Sequence, residues 1–86
     1  MSSSEQIRDV DCVVLLRDLV GYDAYDFSEP REFSAGAVGT VVMVHEGGAA
    51  FEVEFVASDR TLGFVTAERG DLRLATPADF ARADVA

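Results

Sequence analysis

The sequence predicts an all-β fold, a small and strongly bent barrel of five strands. Three observations predict it. The apolar residues are of β type, with twelve Val and six Phe among 86 residues, and β-branched and aromatic side chains fit a pleated surface. Short runs of alternating polarity recur and are separated by turn residues. One long stretch, residues 18–37, has neither strand nor helix rhythm and follows the first run. The length leaves room for one domain and one core.

The elements follow in chain order. Residues 1–9 are polar and predict a flexible N-terminus, with a single domain over 10–86. "CVVLLRDL" predicts a first strand near Val10–Arg17, and "VGTVVMVH" a second near Gly39–His45. Gly47 and Gly48 supply the positive φ values of a two-residue hairpin. "AFEVEFV", "TLGFVT" and "LRLA" predict strands three to five. Gly36, Gly39, Gly47, Gly48, Gly63 and Gly70 read as turn or bend residues. "TPADFARADV" predicts a short C-terminal helix over 77–84, with Thr76 as N-cap, Pro77 in the first turn and Asp79 at the positive end.

A two-residue loop at Gly47–Gly48 sets a register. Val44 then faces Phe51, Val42 faces Val53 and Thr40 faces Phe55, and these six form the core face. Leu62 and Phe64 of the next strand join them, while Val41, Met43, His45, Glu52 and Glu54 form the outer face. A long folded-back loop after the first strand and a short turn, "AERGDLRL", before the last are the marks of an SH3-like barrel.

The stretches "CVVLLRDL" and "AGAVGTVVMVHEGGAAFEVEFVASDRTLGFVTAERGDLR" resemble a family of small bacterial proteins with the pattern G-x-x-G-T-V-V-x-V followed by G-x-A-F-E-V-E-F. The likeness runs over Val13–Leu74, and its specific part is Gly36–Val56. It implies an SH3-like domain of unknown function, and an antitoxin or immunity role toward a toxin-like partner. This chain departs from the pattern in carrying "GYDAYDFSEPREFS" where the family's loop is shorter. The spacing G-x-x-G-x-V-x-x-V is also similar to that of KOW-type barrels, which use basic loops on nucleic acid.

Charge argues against that ligand. Sixteen acids face seven bases, all of them Arg, for a net charge of -9. Phosphate backbones repel such a chain, and a basic protein attracts it. Cys12 stands alone in an apolar run, so it forms no internal disulfide and reads as a small buried hydrophobe. No signal peptide and no spanning segment is read, and the expected compartment is the cytoplasm.

The chemistry-bearing residues are few. His45 has Glu52 as its diagonal neighbour, but no nucleophile stands beside the pair. One His and one Cys make no zinc site. Asp23, Asp26, Glu29 and Glu32 recur every third residue, which does not match a calcium loop. "GAVG" lacks the Lys and helix of a phosphate loop. No enzyme, metal or cofactor is therefore expected.

Two surfaces remain. In the long loop, Phe27 and Phe33 are expected to anchor, while Tyr22, Asp23, Tyr25, Asp26, Glu29 and Glu32 are presented to a partner. The outer face, Val41, Met43, His45, Glu52 and Glu54, is either covered by Phe80 and Val85 of the helix or is a second docking surface. The expected function is an acidic protein-binding module that neutralises a basic partner, as monomer or homodimer. The alternative is a regulatory domain docking on a larger enzyme through its outer face.

Overall fold

The computed structural model describes residues 7–57 and 60–80. It contains seven strands, β1 (Cys12–Leu15), β2 (Leu19–Asp23), β3 (Pro30–Phe33), β4 (Val38–His45), β5 (Ala50–Ala57), β6 (Arg60–Glu68) and β7 (Leu72–Leu74). All pair antiparallel in one open sheet of order β3-β2-β6-β5-β4-β1-β7. A 3-10 turn, Arg69–Asp71, precedes β7, and residues 77–80 are helical. The all-β expectation holds, but the count is seven strands and not five.

The two extra strands are the long loop. Leu19 pairs with Phe33 and Tyr22 with Pro30, so residues 18–37 contain a hairpin. Its turn is built by acids. Asp23 Oδ2 accepts the N–H groups of Tyr25 (2.9 Å) and Asp26 (3.1 Å), and Asp26 Oδ1 accepts from Ser28 N (3.1 Å). Such Asx turns need no apolar alternation, which is why the stretch has no strand rhythm. Phe33 anchors the hairpin as expected, stacked on Phe55 at 4.4 Å in the core.

The hairpin lies against β6, where Tyr22 pairs with Phe64 and Asp23 with Gly63. Two glycines permit the approach. A Cβ on Gly21 would overlap the carbonyl oxygen of Phe64, and one on Gly63 would overlap that of Tyr22. Gly63 and Gly39 therefore sit inside strands, a correction to their reading as turn residues.

Two β-bulges reset the expected faces. The connection after β4 has four residues, because His45 pairs with Ala50, and Val44 still faces Phe51 as predicted. Val42 is then an extra residue, so Val41 pairs with Val53 and Thr40 with Glu54. Val41, expected on the outer face, is instead fully buried, and Val42 and Thr40 leave the core face. A second bulge leaves Leu62 unpaired between Phe55–Gly63 and Val56–Thr61. The core residues of β6 are Val65 and Ala67, Leu62 packs against the core partly buried as expected, and Phe64 lies outside. The core is completed by Val13, Leu15, Leu72 and Ile7. Ile7 is 4% exposed although it falls in the segment expected to be flexible.

Carboxylates fix both turns around β7. Asp71 accepts Arg17 Nε at 2.7 Å and Glu68 N at 3.0 Å. Its burial alone would raise the carboxyl, but the guanidinium and the N–H more than offset this and lower it. Asp79 accepts Arg73 Nη2 at 2.9 Å and Thr76 N at 2.7 Å, the reciprocal contact of a capping box. The helix starts after Thr76 as predicted, with Thr76 Oγ1 donating to Asp79 Oδ2 at 3.0 Å, and the rest of the span expected to be helical, with Val85, lies outside the described residues.

Two outcomes are expected. Gly21→Ala destabilises the fold by about 1–3 kcal/mol, the usual cost of overpacking, and unchanged thermal unfolding would refute the close approach. Asp79 is lowered first by its hydrogen bond to Arg73. A lowered carboxyl stabilises above its unfolded value and loses that contribution as pH falls below about 4. Asp79→Asn should lower Tm by about 4–8 °C at neutral pH and flatten the acid limb. A parallel acid limb would remove the linkage.

Candidate functional site

The strand register decides which side chains share the outer face. Alternate residues of paired strands lie on one side of a sheet. Tyr22 opposite Phe64, Phe64 opposite Glu54 and Glu54 opposite Thr40 form one cross-strand row. Thr66, Glu52 and Met43 form the next. The bulge at Val42 adds a second apolar side chain beside Met43 on this face. The hairpin turn then lays Phe27 over the end of the row.

The result is an open groove of about 360 Å³ lined by Tyr22, Phe27, Val42, Met43, His45, Glu52 and Phe64. Its walls are aromatic at one end and aliphatic at the other. Tyr22 stacks on Phe64 at 5.7 Å, and Phe27 meets both rings edge-on, at 5.3 Å and 6.4 Å. Such edge contacts follow from the ring quadrupole and hold a cluster in one arrangement. Phe27 remains 69% exposed and Met43 54% exposed, so the apolar surface is available.

Glu52 is the polar centre. Its Oε2 accepts the Tyr22 hydroxyl, and its Oε1 accepts Thr66 Oγ1 at 2.8 Å. His45 Nε2 lies 3.9 Å from Oε1. Glu52 thus ties the hairpin (Tyr22) to β6 (Thr66) from beneath the groove. The hydrogen bond to Glu52, with burial and the carboxylate's charge, pushes the Tyr22 phenol up to about 12.

The residues expected to face a partner divide. Tyr22 and the Met43, His45 and Glu52 set, read as two separate surfaces, line one groove. Glu54 lies on the same face, where it accepts Thr61 Oγ1 at 2.7 Å. Val41 does not belong to the surface. Phe27, expected as an anchor, is on the rim of the groove. Tyr25, Asp26, Glu29 and Glu32 are exposed on the hairpin. Asp23 is committed internally, held low by the Tyr25 N–H and paired with Arg31 at 3.1 Å. Phe64 and Val42 were not legible as groove residues. Gly63 inside a strand run was the one sequence mark of a bulge beside Phe64.

A family model described as a domain of unknown function, DUF4926, matches residues 10–73. The chain belongs to that family. Every residue lining the groove falls within the DUF4926 match. No curated protein and no solved structure gives a significant match. Among the described residues no group of three or more His, Cys, Asp or Glu is placed to hold a metal, and no helix is long and apolar enough to cross a membrane.

A raised phenol stabilises fully below its unfolded value of about 10 and loses that contribution as pH rises toward 12. Tyr22→Phe should therefore flatten the alkaline limb of stability between pH 10 and 12 and delete the last step of a tyrosinate absorbance titration. Identical alkaline limbs in the two proteins would mean that Glu52 does not hold the hydroxyl in solution.

Proposed function

We propose that the chain is a non-catalytic protein-binding module of SH3-like architecture, and that the groove between the β2–β3 hairpin and the outer sheet face is its recognition site. Two features of the path support the architecture. Strands β7, β1, β4, β5 and β6 are consecutive neighbours. A folded-back hairpin separates β1 from β4, and a single 3-10 turn precedes β7. These are the marks by which an SH3-like barrel is expected to differ from other small β folds.

The observation that carries the function is the groove itself. Apolar surface left open beside a carboxylate is what a docking partner buries. Aromatic residues such as Tyr22, Phe27 and Phe64 lose little rotamer entropy on binding and commonly dominate an interface. The reading in which the hairpin acids alone engage the partner is weaker, because Asp23 and Asp26 are spent on the turn.

Capture from native extract tests this. The wild type, a Phe27→Ser/Met43→Ser groove variant and a Tyr25→Ala/Glu29→Gln tip variant are compared. One partner retained by the wild type and the tip variant, and lost from the groove variant, is the expected outcome. Loss from the tip variant alone would move the site to the hairpin turn.

A further inference from the structure

The groove has a charged surround that the sequence order conceals. By register, the outer face carries Glu32 of β3, opposite Val20, and Glu54 of β5, opposite Phe64. It also carries Glu68 of β6, opposite Ala50, which in turn pairs with His45, although the Glu68 side chain also accepts the Asp71 N–H in the turn before β7. Together with Glu52, four carboxylates lie on the side that holds the rings. Of the described strand arginines, two lie on the other side of the sheet. Arg31 pairs with Gly21 and Arg60 with Ala57, both on the opposite side by alternation. Arg73 is on this face but at the β7 edge, where Asp79 binds both its terminal nitrogens at 2.9 Å.

Resting on the reading of the groove as the recognition site, we infer that its occupant is a basic segment of another protein. One large apolar side chain of that segment enters between Phe27, Met43 and Phe64. Lysine or arginine residues on either side of it meet Glu32, Glu54 and Glu68. The attraction is local as well as global. The net charge of -9 draws in any cationic chain, but among the described residues this face is where several acids surround an apolar opening. A cation beside the rings gains a further attraction from their π faces. An acidic segment would have to bring its carboxylates against Glu52 and Glu54, which disfavours it.

The test pans short random peptides on the full chain at low ionic strength and measures affinities of the enriched sequences. Four proteins are compared: wild type, Phe27→Ser, a face variant (Glu32→Gln, Glu54→Gln, Glu68→Gln) and a variant of equal charge change elsewhere (Asp9→Asn, Asp18→Asn, Glu46→Gln). Enriched peptides should carry Lys or Arg around a single large apolar residue. Phe27→Ser and the face variant should each lose about tenfold in affinity or more, and the remote variant much less.

Neutral or acidic peptides, or equal losses in the two triple variants, would overturn the inference while the groove remained the site. Peptides that bind Phe27→Ser as tightly as wild type, or the absence of any enrichment, would overturn the groove reading too. Sedimentation of the free chain supplies the last arm. A dimer dissociated by Phe27→Ser would make a second copy the occupant and refute the basic segment.

Discussion

The backbone contact between β2 and β6 is the constraint on which the rest depends. A strand can approach another at this distance only where neither side chain intervenes, and Gly21 and Gly63 remove the two Cβ atoms that would meet carbonyl oxygens. Once the approach is made, Phe33 reaches Phe55 on the inner side and Tyr22 reaches Phe64 on the outer side. The same hairpin thus closes one end of the core and raises one wall of the groove. Glu52 secures the outer side, since its two oxygens take hydroxyls from different strands.

The sequence made the strong features legible. The strands with plain alternation, β4 and β5, were located to within a residue or two. So were the turn before β7 and the Thr76–Asp79 cap, because each rests on local chemistry. What failed was counting. A period-2 pattern carries no memory of an extra residue, so the bulges at Val42 and Leu62 exchanged inside for outside beyond them. Val41 and Val42 are the same residue type, and nothing in their identity says which is buried. The hairpin failed for another reason. Its order comes from carboxylates accepting turn N–H groups and from glycines that tolerate a neighbour, and neither produces alternation. A structureless stretch of that length in so small a domain was itself a reason to expect hidden elements.

An open sheet must also manage its free edges. On β7 the residues bonded to β1 alternate, Ala75 N to Cys12 O and Leu16 N to Asp71 O, so Leu72 and Leu74 turn their backbone outward. Their carbonyls are taken by Arg69 Nη1 at 3.3 Å and Arg73 Nη1 at 3.2 Å. On β3 the outward residues are Pro30 and Glu32, since Asp23 N bonds Glu29 O and sets the alternation. Proline offers no N–H, and glutamate resists a second strand by charge. Both edges are thereby poor templates for strand addition.

That result bears on where binding energy can reside. With the edges blunted, a partner gains little from backbone hydrogen bonds and must draw on side-chain burial. Among the described residues, the outer face is where exposed rings and a thioether are contiguous, and it also carries Glu32, Glu52, Glu54 and Glu68, with Arg73 held at the β7 edge by Asp79. Recognition there would join two terms of different range. Charge acts over about 10 Å at moderate salt and orients the approach, whereas the rings act at contact and set how long the complex lasts. The hairpin would contribute to both, through Glu32 and through Tyr22 and Phe27. A loosened hairpin would therefore weaken encounter and residence together, whereas loss of the uncharged Met43 side chain would shorten residence alone.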